Sequence, residues 1–428
     1  MGIDYFCHSE KDEEVNLVDF YELERTMTYA KKSSKTKKGV MVILLIIILP
    51  IALKAIWVAC ATSGHGAFDK EKKEIIRRAN FLTAKVATSP QQLLDEMPSG
   101  IGAQFQGEWA IYSCSMTSAA LANIAILYPQ NKELAIKFIR EIIDITMSPE
   151  IREYDRARWD QDPLESLNSN KSHVSYLSHL AWMIGRYKQI GGDGKYDELY
   201  HSLCEAMNRR ILKRPSLNLQ TYPGELIYIP DMLVAIVALS DYSHHYNGKY
   251  KSTVDKWVDK AKKEWIDEET GLLASFLAEE KDSAQIVLPV KGSYSALNCY
   301  YLSLVDPDFA KEQYECLKKN FKLSFPFAGL REYHDRTCLF GMDIDAGPII
   351  FNLSPSGTGF VIGAATSLED TEFRNQLLKT AEIGGSTVTW FGKSHYLLAN
   401  IALVGEAIIL AMRTSAPQTR INNRLKTM

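Results

Sequence analysis

The chain has 428 residues, with 49 Lys+Arg against 52 Asp+Glu and a formal net charge of −3. That balance excludes nucleic acid as the main partner, because phosphate binding needs concentrated positive charge. A content of 46% hydrophobic and 10% aromatic residues excludes wholesale disorder. The seven cysteines are far apart with no Cys-x-x-Cys pair, which excludes a zinc ribbon or a thioredoxin motif. No His, Cys and carboxylate set has metal-ligand spacing, so neither a metal nor another cofactor is expected.

From the N-terminus, residues 1–38 form an acidic and then basic tail that ends in KKSSKTKK at 31–38. Residues 39–60 follow with the apolar run GVMVILLIIILPIALKAIWVA, about the twenty residues needed to cross a bilayer. Lys54 sits near one end, where it can snorkel to the interface beside Trp57. The lysines before the run keep the N-terminus cytoplasmic and send the rest across, so the expectation is a single-pass membrane protein. Its large domain, residues 66–412, lies on the non-cytoplasmic side, and 413–428 form a basic C-terminal tail.

Beyond the anchor, apolar residues recur at helical spacing and two-residue alternation is scarce. The spacing predicts helices at 69–86, 112–127, 131–146, 172–189, 195–211, 230–243, 250–265, 293–304, 307–321, 356–367, 370–381 and 396–412. Short connections (128–130, 190–194, 244–249, 305–306 and 368–369) alternate with long ones (87–111, 147–171, 212–229, 266–292, 322–355 and 382–395). Consecutive antiparallel helices then place every long connection at one end. The fold class expected is all-α: an (α/α)6 toroid of six helical hairpins, preceded by the single transmembrane helix. A stacked solenoid would show a fixed repeat period and short loops, and neither is present.

Long loops in a compact domain are usually functional, so the site is expected where they meet the first turns of the inner helices. Ser172, Ser175, Tyr176 and His179 fall at i, i+3, i+4 and i+7, one polar line along an inner helix. The third long loop reads TYPGELIYIPD, 221–231, with Tyr222, Glu225 and Asp231. Asp231 after Pro230 is either a helix cap or a carboxylate tuned as general acid or base. In the fifth loop, Asp343 and Asp345 stand beside glycines. They are either solvated turn residues or the paired carboxylates that glycoside hydrolysis needs. Trp390 and His395 in the sixth loop are candidates for the mouth.

The stretches VSYLSHLAWMIGRYKQIGGDGKYDELYHSL (174–203), WIDEETGLLASFL (265–277) and SYSALNCYYLSLVDPDFAKEQYECLKKNF (293–321) resemble the linalool dehydratase/isomerase family, over about residues 110–412. The resemblance implies an (α/α)6 barrel and cofactor-free acid–base chemistry. Its helical histidine falls on His179, its methionine on Ser175 and a pocket tyrosine on Tyr294, while Tyr222 and Asp231 stand where the family has two active-site cysteines. On this reading Asp231, His179 and Tyr222 are catalytic, and Ser175, Tyr176, Glu225, Tyr294, Asp343 and Asp345 bind a small alcohol or lipid-derived substrate. The protein is then a membrane-anchored lyase or isomerase. The alternatives are a carbohydrate-active hydrolase or lyase, and a non-catalytic ligand-binding domain on a membrane, alone or as an oligomer.

Overall fold

A computed structural model of the chain describes residues 68–417 except 99, 101, 280–282, 337, 338, 344 and 345, together with the isolated positions 49, 53, 54, 56 and 58. The N-terminal tail, nearly all of the expected anchor 39–60, Asp345 and the chain from 418 onward lie outside the described residues. Chain contacts divide the molecule into Met1–Gly64 and His65–Met428. The second unit carries the helices expected from the sequence.

In chain order it contains α1 (Phe68–Val86), α2 (Pro90–Asp95), α3 (Ala103–Leu127), α4 (Lys132–Thr146), α5 (Pro149–Trp159), α6 (Val174–Gln189) and α7 (Asp197–Leu212). There follow α8 (Ile229–His245), α9 (Lys251–Glu264), α10 (Gly292–Leu302), α11 (Pro307–Phe321), α12 (Pro355–Ser367), α13 (Thr371–Gly385) and α14 (Leu403–Thr414). All twelve expected helices are present, and α2 and α5 are additions inside the first two long connections. The helix expected at 112–127 begins at Ala103. The one expected at 396–412 begins at Leu403, because 393–396 is drawn into a hairpin instead.

Helices α3, α6, α8, α10, α12 and α14 each pack on the next, and α14 packs back on α3. That closed inner ring, with α1, α4, α7, α9, α11 and α13 outside it, is an (α/α)6 toroid and not an open solenoid. Composition explains which helices are inner. Every residue of α10, GSYSALNCYYL, is buried, and α3 is buried without a break from Ser113 to Leu127. Such helices, apolar or small on all sides, need neighbours all round. Among the described residues, α3 is also the one helix long and apolar enough to cross a membrane, and it lies inside the toroid. Outer helices carry a single stripe: in α4 the buried residues are Ala135, Ile139, Ile142, Ile143 and Thr146.

The short turns between inner and outer helices are set by capping. Asp306 accepts from Phe309 N at 3.0 Å and Asp370 from Phe373 N at 3.1 Å, and Pro307 occupies the first turn of α11. The long connections hold all the described strands. These are β1 (Ile227–Tyr228), β2 (Phe276–Glu279) and β3 (Ala284–Ile286) in one antiparallel sheet, and the pairs β4 (Lys322–Leu323) with β5 (Gly329–Leu330), β6 (Phe340–Asp343) with β7 (Gly347–Ile350), and β8 (Thr387–Trp390) with β9 (Lys393–Tyr396). The long connections are thus built structures over the N-terminal ends of the inner helices.

One glycine lets the fifth connection reach that surface. A Cβ on Gly292, in the first turn of α10, would stand 1.9 Å from the Arg331 carbonyl oxygen, and the Gly292 N–H donates to the Glu332 carbonyl at 2.9 Å. Gly292→Ala is expected to lower stability by about 1–3 kcal/mol, as over-packing against backbone does. Gly405→Ala in α14 meets nothing within 4 Å and should raise stability by up to about 1 kcal/mol through helix propensity. Denaturant midpoints of the two variants check the contrast.

Candidate active site at the loop face

On α3, Glu108, Tyr112 and Ser115 lie at i, i+4 and i+7, one face of the helix. Across the ring, Asp231 lies in the first turn of α8, where the helix dipole favours a negative side chain. The cap position itself belongs to Tyr228. Asp231 is 1% exposed; its Oδ2 accepts from Thr221 Oγ1 at 3.0 Å and its Oδ1 from Tyr112 Oη at 3.4 Å. The half-buried Glu108 accepts from Tyr222 Oη at 3.1 Å.

The tyrosines bind the two carboxylates into one cluster. Tyr112, Tyr154 and Tyr222 are each pushed well above the usual phenol range, first by burial; Asp231 and Glu108 add to this in all three, after Asp155 in the case of Tyr154. All three are therefore neutral, and Tyr112 and Tyr222 donate to the carboxylates. Tyr154 Oη and Ser175 Oγ are 3.2 Å apart, and Trp159 Nε1 donates to the Thr221 carbonyl at 3.3 Å, which ties α5 to the third connection. His179 on α6 stacks obliquely on Tyr112 with ring centroids 4.3 Å apart, and its Nδ1 is 2.9 Å from Ser115 Oγ. Burial holds its pKa down to about 3, so the imidazole is neutral, and Nε2 has no hydrogen-bond partner among the described residues.

A second charged group stands at the N-terminus of α10. Lys291 Nζ donates to Asp343 Oδ2 at 2.6 Å and lies 5.3 Å from the Tyr294 ring centroid. Ser293 Oγ donates at 2.8 Å to Glu332, whose carboxyl burial raises to about 7. Aromatic rings join the two groups. Tyr294 meets Tyr228 edge-on at 5.2 Å and Phe276 at 5.4 Å, and Tyr228 lies within electrostatic reach of Tyr112. Tyr112, Tyr228 and Phe276 are all half-buried and open the cluster towards the connections.

Of the residues singled out from sequence, Asp231, Tyr222, His179 and Ser175 come together in the first group, and Tyr294 and Asp343 in the second. Tyr176 goes elsewhere: its hydroxyl donates to the Thr146 carbonyl at 2.9 Å, fastening α6 to outer helix α4. Ser172 precedes α6 and accepts from Val174 N at 3.2 Å, so the expected polar line reduces to Ser175 and His179. Glu225 is exposed and ion-paired with Arg158, whose guanidinium lies 4.4 Å from the centre of the Tyr222 ring. Glu108, Tyr112, Ser115, Tyr154 and Thr221 were missed. The first two belong to a helix read as starting at 112, and Glu108 followed by Tyr112 one turn later was the signal available.

No protein-family model matches the sequence, and no curated protein matches it. Nine chains of solved structures match, among them the following two. The crystal structure of an unsaturated glucuronyl hydrolase specific for heparin matches with a TM-score of 0.52 at 12% identity, over 82% of this chain and 97% of its own. A glycoside hydrolase of family 105 from C. acetobutylicum ATCC 824 gives a TM-score of 0.45 at 12% identity, over 73% and 94%. The kinship expected with the linalool dehydratase/isomerase family is corrected by the first of these: the structural likeness is to the glucuronyl hydrolase toroid instead. Two of the three stretches that suggested it, 174–203 and 293–321, fall on the hairpins α6–α7 and α10–α11, and the third, 265–277, runs from the end of α9 into β2. The helical patterning of the first two is what any toroid of this kind requires. The lyase and isomerase assignments fall with it.

Proposed function

We propose that the protein is a carbohydrate-active hydrolase, with Glu108 and Asp231 as its working carboxylates. The observation that carries the reading is their convergence, from helices α3 and α8, on one set of neutral tyrosines at the loop face. Hydrolysis of a glycoside needs two carboxyl groups with separate tasks. Glu108, half-buried and nearer solvent, is the acid that protonates the glycosidic oxygen, because the leaving sugar must exit through the loop face. Asp231, buried and oriented by Thr221 and Tyr112, is the base that takes a proton from the attacking water. The water's hydroxyl adds to the anomeric carbon as the bond to the leaving oxygen breaks. Proton and hydroxyl then balance. The half-buried aromatic wall of Tyr228 and Phe276 suits the apolar faces of a sugar ring. The fold shared with an unsaturated glucuronyl hydrolase supports the same substrate class.

We also propose that residues 39–60 hold the domain at a membrane, on the strength of the unbroken apolar run at 40–53. The test therefore uses the full chain in detergent, incubated with glycosides of neutral and of uronic sugars, unsaturated glucuronyl disaccharides among them. New reducing ends, or loss of the ultraviolet absorbance of the unsaturated uronate, are the expected result. Intact substrates across the whole panel would overturn the reading.

A further inference from the structure

The hydrolase reading leaves unused the cleft enclosed by α1, α2 and the β8–β9 hairpin. Its volume is about 500 Å³, and its walls include Phe81, Lys85, Gln92, Trp390, Lys393 and His395. The His395 ring lies flat on Phe81, centroids 4.1 Å apart and planes 9° apart, so one wall is a preformed aromatic stack. Trp390 stands 69% exposed at the rim. The Nδ1 atom of His395 is buried and has no hydrogen-bond partner among the described residues.

Charge narrows the chemistry of that molecule. Lys85 is held by Glu96 at 2.6 Å, and the remaining Lys393 and Asp95 offset each other on the same walls. A cleft with balanced charge does not select a phosphate or a sulfate. Aromatic faces interleaved with amide, hydroxyl and imidazole groups suit a neutral sugar, which presents apolar C–H faces and a rim of hydroxyls.

The cleft also neighbours the site already described, through a shared wall residue. A second cavity of about 390 Å³ is lined by Gln91, Asp95, Gln104, Gly107, Tyr154 and Arg158. Asp95 lines both cavities, and Gln91 and Gln92 face one each. Gly107 immediately precedes Glu108, and Tyr154 hydrogen-bonds Ser175 inside the tyrosine cluster. The six residues of α2, about 9 Å long at 1.5 Å per residue, form the saddle between the cavities.

We propose that this track is an extended binding groove and that the Trp390–His395 cleft is a distal position for a neutral sugar. The protein then acts on oligosaccharide chains in preference to single terminal glycosides. The substrate class rests on the hydrolase reading, so turnover and binding are measured separately.

The experiment uses the full chain in detergent with xylo-, cello- and chito-oligosaccharides of two and six units. The readouts are kcat/KM and calorimetric binding. For at least one series, the six-unit chain is expected to exceed the two-unit chain by about tenfold in both, and Trp390→Ala should erase that ratio. Phe340→Ala, exposed at the open end of another hairpin, should leave it intact and thereby control for loss of any surface aromatic. Trp390-dependent binding of the longer chain without turnover would overturn the hydrolase reading and keep the groove. Turnover with no length preference, or a preference that survives Trp390→Ala, would overturn the groove and keep the hydrolase. Loss of the preference in Phe340→Ala as well would also overturn it, by showing a general surface effect.

Discussion

Asp231→Asn is expected to lower kcat by a factor of at least about 100 while leaving the toroid folded, which is the scale on which removing a general base acts. The substitution keeps the side-chain shape. Asn retains an acceptor for one of its two hydroxyl partners, Thr221 or Tyr112, and both hydroxyls can rotate to accept from the new amide. The fold should therefore lose no more than about one hydrogen bond, roughly 1 kcal/mol. Glu108→Gln makes the complementary test, because a substrate with a leaving group that needs no protonation should recover most of its turnover in that variant but not in Asp231→Asn. If Asp231 serves only to fasten the third connection to α8, the outcome reverses: kcat holds and the unfolding midpoint falls. A midpoint within error of the parent, together with a collapsed kcat, separates the chemical role from the structural one.

How much of this was legible beforehand can be argued residue by residue. The toroid was legible because loop lengths report geometry. An inner helix and the outer helix after it need only a few residues, as between Leu302 and Pro307, whereas the return must cross the mouth. Asp231 and Tyr222 were legible because Pro and Gly mark the end of the third connection, where the next helix begins. Glu108 was not, since Gly100, Gly102 and Gly107 break the helical pattern and make 103–111 read as loop, which left Tyr112 at the helix start without its partner one turn earlier. The strands were missed for a related reason: hairpins of two to four residues are too short to show alternation. Tyr176 shows the opposite failure. Spacing places it next to Ser175 and His179, but one residue of helix turns it outward onto α4.

The least legible feature joins residues some three hundred positions apart, and it carries the largest stability effect. Arg413, which the sequence reading left in a C-terminal tail, is 2% exposed in the last turn of α14. Its Nε donates to Glu71 at 2.7 Å and its terminal nitrogens to Glu74 at 2.9 and 3.0 Å. Arg374 on α13 donates to both oxygens of Glu71 at 2.8 and 3.0 Å. Arg78 reaches Glu74 at 3.0 Å and Glu406 at 2.7 Å, and lies 3.8 Å from the centre of the Tyr396 ring. Three arginines and three glutamates thus fasten the first helix of the toroid to its last two, along the seam where the ring closes.

Glu71→Gln leaves Arg374 and Arg413 buried and short of one countercharge, a defect that costs about 3–5 kcal/mol. Lys251→Ala, which removes an exposed pair with Asp255, should cost less than about 1 kcal/mol. The same seam sets the acid limb of stability. Burial alone would raise the Glu71 carboxyl, but Arg374 and Arg413 override it and hold it at about 2, against an ordinary value of 4.5. Burial likewise opposes the lowering of Glu74 to about 2 by Arg413 and Arg78. Because each folded value lies below the unfolded one, the stabilisation is complete above about pH 4.5 and is lost as the pH falls towards 2. For Glu71 the shift corresponds to about 3 kcal/mol. Glu74, with a third of its side chain exposed, contributes less because solvent screens it. Denaturant titrations at pH 7 and pH 3 should therefore show the parent losing stability on acidification and Glu71→Gln losing markedly less. Equal losses in the two proteins would place the acid sensitivity elsewhere in the molecule.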